Sequence, residues 1–325
     1  MAKAKEEVDF QSLIDQVNKE YGSNSLVLIG EKPRERAKTI NSGSILLNLG
    51  LNGGYAEGKI IEAFGDNGSG KTTLALQAIA QVQIKGQVAA FIDMEHALNL
   101  DYAEALGVNV PKLFFSQPET GEQALGIAEL LIKSGKINFI CFDSVAAMIP
   151  KAELEGEFGE AKMGLHARLM GQGMRKLTGE ASKRNVTLFF INQTREKIGI
   201  MFGDPTTTTG GNALKFYSSQ RLQVFAGTKV KGTDGEFIGQ EMTIKIIKNK
   251  IGVPHKKIKT VLIYGKGIDT LGEIIDIAVE MNLIKKAGSW FSYQDQKIGQ
   301  GMDSVRICLQ DNPELLEEIK TKAGI

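Results

Sequence analysis

From about residue 58 the apolar positions follow two alternating rhythms. Near-continuous apolar runs at Lys59–Phe64, Gln87–Asp93, Ile137–Asp143 and Val186–Asn192 predict strands covered on both faces. Between them the helical period returns at Thr72–Gln83, Thr120–Ser134 and Leu165–Ser182. Thr120 followed by Gln123 is a capping box for the second of these. Strand–helix alternation of this kind predicts an α/β fold with a mostly parallel sheet. Past residue 220 the helical rhythm stops. Arg221–Phe225, Met242–Lys248 and Lys259–Tyr264 then predict strands that extend the sheet in antiparallel fashion. After Gly267 an apolar helix at Leu271–Met281 and a last helix opening at Pro313, capped by Asp311 or Asn312, predict a small separate α/β domain. Ahead of the sheet, Phe10, Leu13, Ile14 and Val17 recur at helical spacing, and Gly22 stops that helix. Its apolar stripe has two open placements, on its own domain or on a neighbouring subunit. Glu31–Lys38 reads as a linker, so the expected divisions are 1–32, 33–267 and 268–325.

Composition narrows this picture little. The 325 residues carry 39 Lys and Arg against 38 Asp and Glu, which excludes a uniformly basic coat protein. Cys141 and Cys308 are isolated, so neither a disulfide framework nor a zinc spacing can be built, and a reducing, cytoplasmic compartment is expected. No apolar stretch spans a membrane, and the N-terminus lacks the apolar core of a signal peptide.

The chemistry is concentrated at strand ends. Gly65, Asp66, Asn67, Gly68, Ser69, Gly70, Lys71 and Thr72 fit G-x-x-x-x-G-K-[ST], between an apolar strand and a helix, with Thr73 next in line. The glycines let backbone N–H groups turn toward phosphates, Lys71 reaches the β- and γ-phosphates, and the Thr72 hydroxyl binds Mg²⁺. Asp143 ends another strand, where a carboxylate can hold the Mg²⁺ shell through water. Glu95 lies just beyond Asp93 and can polarise the attacking water. Gln193 ends a fourth strand beside Asn192; a γ-phosphate contact and an ordinary polar strand end describe it equally well. All fall at carboxyl ends of parallel strands, where open sheets bind ligands.

Local charge adds a second theme. Residues 162–203 hold eight basic side chains against two acids, a net charge of +6, and residues 242–268 hold seven lysines and no acid. Such asymmetry is the footprint of polyanion binding. A solvated helix face accounts for Lys176 and Lys183. It accounts less well for basic residues flanking the Gly-rich stretches Glu155–Gly164 and Thr194–Gly211, which also carry Met163, Met201 and Phe202. Cations, flexible backbone and a few apolar wedges suit a single-stranded nucleic acid.

Taken with Phe91–Leu98, Asp143–Ala147, Ile191–Gln193, Lys248–Lys250, Lys297–Gly301 and above all Thr207–Tyr217, these residues resemble the bacterial RecA recombinase family over nearly the whole chain. The resemblance implies a RecA-type P-loop ATPase core, an N-terminal helix that docks on the adjacent subunit and a small C-terminal α/β domain. It implies ATP and Mg²⁺ bound between subunits of a filament on single-stranded DNA, pairing with homologous double-stranded DNA, strand exchange, and stimulation of an SOS repressor's self-cleavage. By this resemblance Glu95 is the catalytic glutamate, Gln193 the γ-phosphate sensor, and Tyr102 the adenine-stacking residue with Tyr264 nearby. Lys248 and Lys250 reach a neighbour's ATP, and Met163, Arg168, Arg175, Arg195, Gly210 and Gly211 fall at DNA-contacting positions. Two residues depart from the family pattern. Asn99 replaces an aspartate near the adenine amine, and Met302 stands where a basic residue often serves duplex capture.

Overall fold

The structure, a computed structural model, describes residues 10–31, 37–157, 164–196, 206–232 and 235–325. The chain forms two units, Met1–Ala37 and Lys38–Ile325. In the first, the expected helix spans Phe10–Tyr21 and ends at Gly22, whose φ of +103° is one a side chain rarely adopts. Ile14 is buried, while Phe10 and Leu13 remain exposed. Asn18 closes the turn that follows: its amide accepts from Leu26 N and donates to Leu26 O.

The second unit is organised by a ten-stranded sheet. Its main path runs Gly267–Ile268, Lys257–Ile263, Phe237–Asn249, Gln220–Lys231, Ile60–Gly65, Thr187–Glu196, Phe139–Asp143, Ala89–Asp93 and Phe114–Ser116. Alternate residues of the central strands enter two separate cores, as a period of two requires. Ile61, Ala63, Phe139, Cys141, Phe189 and Ile191 face the helix Lys71–Ile84 on one side. Ile60, Ile140, Phe142, Leu188 and Phe190 face the helices Gly121–Lys133 and Leu165–Lys183 on the other. There Phe142 and Phe190 stack with ring centroids 4.4 Å apart. Double coverage is why these strands read as unbroken apolar runs. Glu62 is the exception, a carboxylate with no exposure in the middle of a buried strand.

The strands past residue 220 differ from expectation in one respect. Gln220–Lys231 lies parallel to Ile60–Gly65. Only Phe237–Asn249, Lys257–Ile263 and Gly267–Ile268 add in antiparallel fashion. The short helix Ala213–Tyr217 reverses the chain before Gln220, and five residues are too few to show a helical period.

Residues 270–325 build a helix at Thr270–Glu280, an antiparallel sheet of Ile284–Ala287, Trp290–Tyr293 and Gln296–Gln300, and helices Gly301–Asp311 and Pro313–Ala323. Ile275, Ile284, Phe291, Val305, Leu309 and Ile319 form a core of their own. The buried Glu273 carboxylate leaves this region. It accepts from Ser44 Oγ, Ile45 N and Leu46 N at the start of the helix Ile45–Leu51, and from Thr260 Oγ1 on the large sheet. Burial raises its pKa, opposed by these hydrogen bonds. Among the described residues no helix is long and apolar enough to cross a membrane.

Candidate active site

The phosphate-loop motif links the strand Ile60–Gly65 to the helix Lys71–Ile84. A Cβ on Gly65 would lie 2.0 Å from the Val224 carbonyl oxygen, so only glycine lets the neighbouring strand approach. Gly70 precedes the helix at φ +95° and offers no side-chain cap, which leaves the first-turn N–H groups for an anion. The Ser69 hydroxyl is buried without a partner among the described residues. Lys71 Nζ donates to the Asp66 carbonyl at 2.7 Å. Burial lowers the Lys71 pKa, while Asp143, Glu95 and Asp66 pull it back up. An uncapped helix start, an unsatisfied hydroxyl and a buried ammonium fit a phosphate chain.

Three strand tips converge on this loop. Thr72 Oγ1 donates to Asp143 Oδ2 at 2.7 Å. Met94 N and Glu95 N both donate to the Asp143 carbonyl, which fixes Glu95 just past its strand. Glu95 Oε1 accepts from the Ser144 hydroxyl and, at 3.0 Å, from Gln193 Nε2. Loop, carboxylates and amide therefore form one hydrogen-bonded constellation. Burial pushes the Asp143 carboxyl up to about 6; Glu95 and Asp93 add to the rise, and the Thr72 hydrogen bond and Lys71 oppose it. A carboxylate so destabilised beside a hydroxyl suits a hard cation that shares phosphate and water ligands.

Two aromatic residues flank the loop. The Tyr102 hydroxyl lies 2.8 Å from Thr73 Oγ1, and burial raises its pKa. Asn99 caps the helix Leu100–Ala105 by accepting from Tyr102 N, so its carbonyl oxygen has one of two lone pairs already engaged. The half-exposed Tyr264 donates to Gln240 Oε1, and Gln240 Nε2 donates to the Gly68 carbonyl at 2.7 Å. Lys248 and Lys250 do not join the constellation. Lys248 Nζ donates to the carbonyls of Lys215 and Phe216, and its pKa is lowered by burial and by Lys250 and Arg221. Its strand register pairs it with Arg221, which is paired with Glu62, three residues short of Gly65. Lys250 is exposed.

The described candidate nucleic-acid residues lie on three segments, the helix Leu165–Lys183, the end of the strand Thr187–Glu196 and the turn before the helix Ala213–Tyr217. Met163, Met201 and Phe202 lie outside the described residues. Arg168 and Arg175 are exposed on the helix Leu165–Lys183 and carry no ion pair among the described residues. Lys176 and Lys183 do, with Glu129 and Glu180. The strand Thr187–Glu196 continues past Gln193, and Thr194, Arg195 and Glu196 pair with Thr208, Thr207 and Thr206. Gly210 and Gly211 follow at φ +81° and +72°.

Several residues of this region carry no signal in a single sequence. Ser144 and Gln240 are ordinary polar residues until the fold places them on Glu95 and Gly68. Buried Glu62 accepts from Arg221 Nε and Asn192 Nδ2; Asn192 also donates to the Thr209 carbonyl and accepts from Gln193 N and the Thr209 hydroxyl. One side chain thus ties both arms of the second Gly-rich stretch to the central strand. An acid interrupting an apolar strand run is the one available hint.

Residues 9–269 match the RecA N-terminal domain and residues 272–323 match the RecA C-terminal domain. The chain belongs to the RecA family. It is 50% identical over 322 residues to Protein RecA of Bacteroides thetaiotaomicron, spanning 98% of this chain and 97% of that protein. It is 52% identical over 310 residues to Protein RecA of Porphyromonas gingivalis (95% and 91% of the two chains) and 50% identical over 309 residues to that of Halalkalibacterium halodurans (94% and 88%). As a RecA-family protein it is a DNA-dependent ATPase and homologous recombinase of DNA repair. Nucleotide binding, DNA binding and filament formation follow from that membership.

Proposed function

We propose that this RecA chain hydrolyses ATP, with Mg²⁺, at the Gly65–Thr72 loop while assembled as a filament on single-stranded DNA, and that the filament pairs with homologous double-stranded DNA for strand exchange. The hydrogen-bonded Glu95 carboxylate carries this reading. Both of its side-chain bonds among the described residues go to Oε1, which orients the group and presents Oε2 to a water. A base held in place before the reaction loses little to reorganisation. Lys71 neutralises the phosphates from within the loop. Mg²⁺, held by Thr72 and through water by Asp143, would draw further charge from them. Gln193 shares its amide with Glu95 and is placed to register the γ-phosphate. Tyr102 stacks on adenine with Tyr264 nearby, while Lys248 and Lys250, remote from their own loop, serve a neighbour's nucleotide as cationic fingers.

On this reading residues 1–32 dock on the adjacent subunit, 33–267 form the ATPase core, and 268–325 form the small C-terminal domain. Two loops, 155–164 and 194–211, hold DNA, with Arg168, Arg175 and Arg195 on phosphates and Gly210 and Gly211 at the backbone. The cytoplasm is the compartment, and an SOS repressor is a further partner. Glu95→Gln tests the central role. It should keep binding of an ATP analogue and filament assembly while cutting turnover by about 10²-fold or more. Hydrolysis near the parent rate would remove Glu95 from the mechanism.

A further inference from the structure

Adjacent residues of a strand point to opposite faces, and Gln193 and Thr194 exploit that. Gln193 reaches Glu95, whereas the Thr194 hydroxyl donates to Asp66 Oδ1 within the phosphate loop. Asp66 is also the residue whose carbonyl accepts from Lys71 Nζ. Its backbone therefore answers to the phosphate-binding lysine and its side chain to the strand that enters the second candidate DNA loop. Thr194 is no passive end point. It pairs with Thr208, with Arg195 opposite Thr207, so it sits at the base of the stem that carries both arms of the 194–211 segment. Asp66, Thr194, Arg195 and Gln223 line one cleft of about 270 Å³ between the loop and that stem.

We propose that the Asp66–Thr194 hydrogen bond is a strut between the nucleotide loop and the second DNA loop, parallel to and independent of the Gln193–Glu95 contact, with Asp66 as its positioning residue. The inference rests on the functional reading above and names a coupling within it. A phosphate competes with the Asp66 carbonyl for the Lys71 ammonium, so nucleotide binding alters the restraint on Asp66. The change passes to Thr194 through a single hydrogen bond, and from Thr194 to the stem. Since the two struts leave adjacent residues in opposite directions, losing one does not remove the other. Coupling of this sort is reciprocal: the factor by which nucleotide raises DNA affinity is the factor by which DNA raises nucleotide affinity.

The test measures single-stranded DNA affinity by fluorescence anisotropy, with and without a slowly hydrolysed ATP analogue, and takes the ratio. Asp66→Ala and Thr194→Val should each lower that ratio about threefold to tenfold, the net worth of one solvent-exposed side-chain hydrogen bond. The double variant should fall no further than either single one, whereas combination with Gln193→Ala should be additive. Asp66→Asn keeps the acceptor without the charge and should retain most of the ratio. Analogue affinity measured with and without DNA must change by the same factors. A parent whose DNA affinity ignores the analogue overturns the functional reading itself. A responsive parent with equally responsive Asp66→Ala and Thr194→Val variants overturns the strut alone, as does an additive Asp66–Thr194 double variant.

Discussion

Asp143→Asn separates what the site needs from what the fold prefers. The Asp143 carboxyl is raised from 3.8 to about 6, chiefly because its charged form is buried. Between pH 4 and 6 the native state then binds more protons than the unfolded chain, so stability falls as pH rises through that window. At about 1.4 kcal/mol per pH unit the deficit approaches 3 kcal/mol above pH 6. Asparagine is nearly isosteric, keeps an oxygen for the Thr72 hydroxyl and carries no charge. The variant should therefore exceed the parent by a margin that is small at pH 4, grows through pH 5 and 6, and levels off at about 3 kcal/mol by pH 8. For a chain of this size that is a Tm difference of roughly 5 °C at the upper end. The assay is a thermal scan of both proteins across this pH range, without nucleotide and with a chelator present. ATPase activity should be lost over the same range, because no carboxylate remains beside Thr72. A Tm difference that does not grow with pH, or a parent more stable at pH 8, would refute the burial argument.

Three further outcomes are expected. Removing Arg175 or Arg195 should weaken single-stranded DNA binding about equally on all sequences and lower the salt slope by about 0.7 per lost contact; an unchanged slope would return both to solvated surface charge. Mixing Lys248→Ala with Glu95→Gln should restore partial DNA-dependent turnover, since some interfaces then hold both intact parts; no recovery in mixtures that co-assemble would place Lys248 within its own subunit's site. Asn192→Ala leaves Glu62 and the Thr209 hydroxyl each short of a buried partner and should cost about 1–3 kcal/mol in a denaturant titration; a neutral result would mean water replaces the amide.

The sheet and the phosphate loop are legible because both rest on local rules. Buried parallel strands must be apolar runs, and a loop that wraps phosphates must be rich in glycine. Gln193, evenly balanced as a residue, is joined to Glu95 by the structure, a contact between positions 98 residues apart that no local pattern encodes. The hidden parts are all of this kind: Ser144 on Glu95, Gln240 on Gly68, Thr194 on Asp66. The direction of the strand Gln220–Lys231 escapes the pattern because the crossover helix before it is a single short turn. Met302 shows the limit of reading a position by residue type. Its side chain packs on the C-terminal core and lines a cavity that holds the acids Asp269, Glu273 and Asp276 together with the cations Lys257, Lys259 and Arg306. A lysine there would enter a cavity lined by charges of both signs, so charge at this position does not translate directly into duplex attraction.

Glu273 bears on where the molecule can be cut. The N-terminal family match ends at residue 269 and the C-terminal one begins at 272, which invites a truncation between them. Such a fragment would lack the one carboxylate that accepts from Ser44, Ile45, Leu46 and Thr260. Four donors would lose their acceptor together, at about 1–3 kcal/mol for each one that water cannot reach. The helix Ile45–Leu51 would also lose the negative charge at its start. The seam between the two sequence families is therefore not a seam in the hydrogen-bonded fabric, and a self-sufficient ATPase fragment has to carry the Thr270–Glu280 helix with it.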